Sequence, residues 1–375
     1  MNTPIHPPLS RLPEGIQAAR DYEFLARRHV TGPTLAYIEG GSGDDVSVRA
    51  NRNAFERVTI TPRLLRDVSG GHTRLTLAGR TLAHPILLAP VAFQTLVHGQ
   101  GERETARAAA ATETVMVLST LATTALEDVA ALAGPAPWFQ LYFQPDRAAT
   151  LALLRRAEAA GYGALVVTLD AVIQAPSRSA LHAGFRMPPE CVPVNPPPAA
   201  PASGERPGPG QSVIFQGLMR QAPTWADLAW LMESTRLPVW IKGVLHPEDA
   251  VQLRARGVAG LVVSNHGGRS LDHAPATLAA LPALRAAVGD ACPLLLDGGI
   301  RSGADVFKAI ALGADAVAVG RLQVHALAVA GALGVAHMLK LMREELETTM
   351  AMAGCATLAD VRAASVAWTD LGNPH

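Results

Sequence analysis

Eight short apolar runs recur along this chain, at Ile86–Ala89, Val115–Leu118, Trp138–Leu141, Leu165–Leu169, Val239–Ile241, Leu261–Val263, Leu294–Leu296 and Ala316–Val319. Each is shorter than an ordinary helix and nearly all apolar, which fits strands buried on both faces. Ala-rich segments of helical character separate most of them, such as Asp146–Ala160, Pro247–Arg256, Thr277–Val288 and Ser302–Leu312. Strand then helix, eight times over, predicts an α/β fold, a closed parallel (β/α)8 TIM barrel. A doubly wound open sheet is the competing reading. Against it, no Gly-x-Gly-x-x-Gly follows the first run.

The 375 residues exceed the roughly 250 of one such barrel. The surplus reads as two additions to a single domain over 1–375. One is an N-terminal helical segment over about 21–70, followed by a small hairpin at Leu75–Leu82. The other is a long loop over about 188–220, after the fourth strand. Its middle, Pro193–Gln211, is rich in Pro and Gly and is expected to be a mobile excursion, either a lid over the barrel mouth or a plain surface loop.

Lys plus Arg equals Asp plus Glu at 32 each, so no bulk charge draws the chain to nucleic acid or to an anionic membrane. Three scattered cysteines show neither disulfide nor zinc spacing, and no metal is expected. The N-terminus lacks a basic region followed by an apolar run, and the longest uncharged stretch, about Leu322–Ala336, is short for a bilayer span. The expectation is a soluble, cytoplasmic homo-oligomer.

Residues able to do chemistry gather at the ends of the expected strands. They are Pro90, Ser119, Gln140 and Tyr142, Thr168 and Asp170, Lys242, Ser264 and His266, Asp297 with Gly299 and Arg301, and Gly320-Arg321. Such groups are costly in a purely structural interior, but at the C-terminal rim of a barrel they converge on one cavity. In Ser264-Asn265-His266-Gly267-Gly268-Arg269, a histidine able to move protons near neutral pH stands beside an arginine able to grip a carboxylate. Asp297-Gly298-Gly299-Ile300-Arg301 and Gly320-Arg321 follow the last two strands, where barrels commonly hold phosphate. Singly, each has a plainer reading: a packed tyrosine, a snorkelling lysine, a capping aspartate.

Taken in order, these blocks resemble the FMN-dependent 2-hydroxy-acid oxidase and dehydrogenase family over roughly Asp21–Val366. Asn51-Arg52-Asn53-Ala54-Phe55, Ala89-Pro90-Val91-Ala92, Phe139-Gln140-Leu141-Tyr142, Thr168-Leu169-Asp170, Ile241-Lys242-Gly243, Ser264–Asp272, Asp297–Arg301 and Asp305-Val306-Phe307-Lys308 carry the resemblance. It implies FMN as cofactor, lined by Pro90, Val91 and Ala92 and hydrogen-bonded by Ser119, Gln140 and Thr168. Lys242, with Ser264 nearby, would sit by the flavin N1/O2 edge. Asp297, Gly299, Arg301, Gly320 and Arg321 would hold ribityl and phosphate. His266 would be the base and Asp170 its orienting acid, with Tyr37, Tyr142, Arg178 and Arg269 binding substrate.

The resemblance further implies oxidation of an (S)-2-hydroxy acid, with O2 as acceptor and a tetramer as the assembly. A dehydrogenase using a quinone or carrier protein, a monooxygenase, or a flavin-binding barrel without turnover are the alternatives. Departures from the family pattern lie at Ser177-Arg178: gapless counting puts Ser177 where the family's second substrate arginine falls, so either Arg178 takes that role one place later or the carboxylate has a single arginine. Others are Val91 in place of a threonine, Leu121 in place of an aromatic, and Leu322 in place of a proline.

Overall fold

The computed structural model describes residues 6–196, 208 and 210–369. Eight parallel strands form one sheet: β4 (Ile86–Leu88), β5 (Val117–Ser119), β6 (Trp138–Leu141), β7 (Ala164–Thr168), β8 (Val239–Val244), β9 (Gly260–Val263), β10 (Leu294–Asp297) and β11 (Ala316–Val319). The order is β4-β11-β10-β9-β8-β7-β6-β5. A parallel bridge between Leu88 and Met116 brings β4 against β5 and closes the ring. All eight apolar runs are therefore strands of one TIM barrel.

Three small strands precede the barrel and one follows it. β2 (Leu75–Leu77) and β3 (Arg80–Leu82) form the expected hairpin, with Ala78 and Gly79 both at positive φ in its turn. β1 (Val58–Ile60) pairs antiparallel with β12 (Val366–Trp368), tying the two ends of the chain together. This pair was not anticipated, and the expected helical segment gives way to extended chain after residue 56. Three-residue strands joined over 300 positions leave no local period to read.

The helices are α1 (Asp21–Ala26), α2 (Gly32–Glu39), α3 (Val46–Glu56), α4 (Glu102–Ala111), α5 (Leu126–Leu132), α6 (Arg147–Ala159), α7 (Arg178–His182), α8 (Trp225–Glu233), α9 (Pro247–Ala255), α10 (Thr277–Val288), α11 (Gly303–Ala311), α12 (Arg321–Ala353) and α13 (Leu358–Arg362). Several begin on side-chain caps, Asp146 for α6 and Ser302 for α11 among them. Among the described residues one helix, α12, is long and apolar enough to cross a membrane, and 78% of its most apolar window is buried within this fold. It extends well past the uncharged run at 322–336 and leaves helical geometry at Ala330 and Gly331. Of the expected 188–220 excursion, residues 197–207 and 209 lie outside the described residues. The remainder holds short helical turns over Val213–Gly217 and Leu218–Gln221.

Strand periodicity decides what faces the barrel axis. Side chains alternate sides along a strand, so each strand presents every second residue inward. Leu87, Val117, Trp138, Val166, Trp240, Val262, Leu295 and Ala316 form one apolar cluster with Leu77 and Leu82 of the hairpin. Ile86, Leu118, Phe139, Leu165, Ile241, Leu261, Leu294 and Val317 belong to the other cluster, which packs under the helices. Two positions beyond those inward residues come Ser119, Gln140, Thr168, Lys242, Ser264 and Asp297. The polar groups are thus the next inward layer, stacked on an apolar floor at the C-terminal end.

Candidate active site

One cavity opens at that end. It is lined by Tyr37, Pro90, Val91, Ala92, Ser119, Gln140, Tyr142, Thr168, Lys242, His266, Arg269, Asp297, Gly299, Arg301, Gly320 and Arg321. Sixteen of the nineteen residues singled out by sequence therefore meet in one place. Of the other three, Asp170 and Ser264 stand directly behind the lining and Arg178 stands apart.

His266 carries the geometry of a base. Its Nδ1 lies 2.9 Å from Asp170 Oδ1, so a neutral ring donates there and leaves Nε2 with its lone pair toward the cavity. The Tyr142 hydroxyl lies 3.4 Å from that Nε2. Burial, then the nearby Lys242 charge, hold the imidazole below its ordinary value of 6.5, and Asp170 offsets this only in part. Burial opposes ionisation of Asp170, yet the Lys242 charge and the His266 hydrogen bond outweigh it and keep its carboxyl below the usual range. Tyr142 is pushed up to about 12, chiefly by burial, so it remains an O–H donor.

The backbone is bent to make this arrangement. His266 has φ +58, unusual for a residue with a Cβ, and the following Gly267 and Gly268 are also positive. At Gly243, with φ +102 on a bulge of β8, a Cβ would fall 2.5 Å from that of Asp170. Its absence lets the acid reach the histidine.

Lys242 is buried, with Nζ 2.9 Å from Ser264 Oγ and 3.4 Å from Asp297 Oδ2. Burial alone would strip its proton. The Asp297 and Asp170 charges outweigh that and hold it above its ordinary value. Ser264 also accepts from the His266 backbone N–H at 3.0 Å, so one hydroxyl positions both the lysine and the histidine loop rather than lining the cavity itself.

At the far end, Arg321 donates to the carbonyls of Ile38, Gly267 and Gly40 at 2.8, 2.8 and 3.0 Å. Burial and the charges of Arg269 and Arg301 push it down to about 9. Arg301 pairs with Glu23.

Arg178 corrects the sequence reading. It opens α7 with its side chain 62% exposed and is held by both Asp44 oxygens, at 2.6 and 2.7 Å. Neither it nor Ser177, which caps α7, lines the cavity.

The sequence reading also passed over groups that the fold brings in. Asn51 of α3 and Asn265 exchange side-chain hydrogen bonds at 2.8 and 2.9 Å, joining the N-terminal helices to the histidine loop. Arg52 donates to the Gly299 carbonyl and to Asp305, which accepts the Arg301 backbone N–H at 2.8 Å. Asn51 and Arg52 both stand in the Asn-Arg-Asn-Ala-Phe motif. Phe93, Leu96, Val97 and Gln174 also line the cavity, beside the Leu121 already noted from sequence.

The model for FMN-dependent dehydrogenases matches residues 26–368. This chain belongs to that family. It is 63% identical to an L-lactate oxidase of Alicycliphilus denitrificans, over 94% of this chain and 97% of the relative. It is 39% identical to glycolate oxidase 1 of Oryza sativa subsp. indica, over 93% and 95%. A crystal structure of mandelate oxidase with (S)-2-phenylpropionate superposes with TM-score 0.86 at 38% identity, covering 95% of this chain and all of that one.

The cavity of this FMN-dependent dehydrogenase family member fits its cofactor. Gln140 Nε2 and Thr168 Oγ1 are buried, line the cavity and have no partner among the described residues. Buried polar atoms are seldom left unpaired, and a flavin ring edge offers the donors and acceptors they lack. Two arginines and glycine amides after β10 and β11 suit its phosphate. Gly299, at φ +88, packs where a Cβ would lie 2.7 Å from the Asn51 carbonyl oxygen. Gly299→Ala is expected to loosen this loop, and the purified variant should carry less flavin absorbance per chain than wild type.

Proposed function

We propose that the protein oxidises an (S)-2-hydroxy acid to the 2-oxo acid at this cavity, with O2 taking the electrons to give hydrogen peroxide. The observation that carries it is the His266–Asp170 pair opening onto the cavity that Lys242 and Arg269 also line. Bound FMN supplies the two-electron sink. The residues assigned to it are Pro90, Val91, Ala92, Ser119, Gln140, Thr168, Lys242, Asp297, Gly299, Arg301, Gly320 and Arg321, with Ser264 behind Lys242.

The protein's own part is binding and proton management. Arg269 receives the substrate carboxylate, a fork meeting a planar anion. Tyr37 and Tyr142 donate to carboxylate and hydroxyl. His266 Nε2 takes a proton from the substrate, either from C2–H or from the 2-hydroxyl, and Asp170 stabilises the imidazolium as it forms. Lys242 sets a fixed positive charge beside the electron sink. The same reading extends to a cytoplasmic homo-oligomer that needs neither nucleic acid nor membrane.

Anaerobic mixing with (S)-lactate, glycolate and (S)-mandelate, followed by air, tests this directly. Bleaching and then peroxide is the expected sequence. Bleaching without reoxidation by air would instead point to a quinone or protein acceptor, and a colourless purified protein would refute the cofactor assignment.

The electrostatics also set a pH profile. The base must be unprotonated, and its proton affinity in the free enzyme lies below 6.5. kcat/KM is therefore expected to be level through neutrality and to fall only in acid, with an apparent pKa under that value. A limb centred above pH 7 would show that His266 is not the titrating base.

A further inference from the structure

Four cations line the cavity, and three are already engaged. Lys242 is held by Ser264 and Asp297, Arg301 by Glu23, and Arg321 by three backbone carbonyls. Arg269 differs. Its Nη1 makes both of its bonds, to the carbonyls of Tyr37 and Gly40 at 2.7 Å each. Nε and Nη2 make none among the described residues, so one edge of the fork is open. A carboxylate offers about four lone-pair sites, and one guanidinium edge satisfies two.

Beside the two tyrosines, the loop after β7 borders the same end of the cavity. It leaves Asp170 at the histidine and returns along α2, where Phe185 stacks on Tyr37 with centroids 4.3 Å apart and planes 13° from parallel. Its Arg178 is spent on Asp44 outside. Among the described residues, its one polar side chain on the cavity wall is Gln174, four residues beyond Asp170. The Gln174 amide has no hydrogen bond among the described residues.

We infer that Gln174 binds the substrate carboxylate, its side-chain amide donating to the oxygen that Arg269 leaves open. The anion is then held by one guanidinium and one neutral amide, with the two tyrosines. A single cation gives a weaker grip on charge than two would, so a neutral 2-hydroxy amide should be penalised less than a doubly cationic pocket would penalise it. This assignment rests on the 2-hydroxy-acid reading above.

The test measures steady-state kinetics on whichever of (S)-lactate, glycolate and (S)-mandelate the wild type oxidises best. Binding of oxalate, a carboxylate that cannot be oxidised in this way, is followed by perturbation of the flavin spectrum. Gln174→Ala is expected to raise KM about tenfold, the scale of one hydrogen bond to a charged group, with kcat within about twofold. The oxalate dissociation constant should rise by a similar factor. Gln174→Glu should weaken both further by setting like charges together. Arg178→Ala should leave both at wild-type values. Unchanged KM and oxalate binding in Gln174→Ala would overturn the assignment, as would an Arg178→Ala effect of equal size. A wild type that oxidises none of the acids overturns the underlying reading, a result distinct from either.

Discussion

His266→Ala is expected to lower turnover by about a thousandfold while the protein stays yellow, within the roughly 10²–10⁴-fold typical of a positioned general base. The two outcomes separate because the histidine ring reaches Asp170 and Tyr142, whereas cofactor contacts are assigned to other residues. Stability should fall as well, since the buried Asp170 carboxylate loses the hydrogen bond from His266 Nδ1. Asp170→Asn is the sharper control. An asparagine NH2 facing Nδ1 favours the tautomer with its proton on Nε2, which removes the lone pair the reaction needs. Its activity should fall strongly with flavin content and melting temperature near wild type. Full turnover in His266→Ala would place the base elsewhere.

Lys242→Met is expected to damage both folding and redox chemistry, and the two can be told apart. Lys242 and Asp297 are both buried, 3.4 Å apart. Removing one partner strands the other's charge, which costs on the order of 3–5 kcal/mol. The melting temperature should fall accordingly. Lys242→Met/Asp297→Asn removes both charges and should recover much of that stability. It should not recover turnover, because the positive charge beside the electron sink is still missing. In both variants reduction by substrate should slow and the flavin potential should drop, read by anaerobic titration. If the double variant regained wild-type rates, Lys242 would be a structural ion-pair partner only.

The barrel could be read from the sequence because parallel strands covered by helices must be apolar on both faces, so each leaves a compact run in the chain. The end-to-end pairing of Val58–Ile60 with Val366–Trp368 left no such trace, being too short for a pattern and too distant for a turn signal. Much of the site was legible for a related reason. On a strand otherwise free of polar atoms, Gln140, Thr168, Lys242 and Asp297 stand out at the C-terminal end, and period two sends them inward. Arg178 misled because proximity in sequence fixed its loop but not its direction. At the start of α7 its guanidinium pairs with Asp44 and does not line the cavity. Asn51 and Arg52 were visible as letters of a motif, yet their roles depend on partners more than 200 positions away.

Sequence by itself thus determined the repeating architecture, the chemistry at its rim and the family, because each is written in residue type and local period. Tertiary structure alone decided which neutral ring nitrogen of His266 is free, which edge of Arg269 is open and that Gln174 rather than Arg178 borders the cavity. Those are questions of direction, and a side chain's direction is set by packing and hydrogen bonds between segments far apart in the chain.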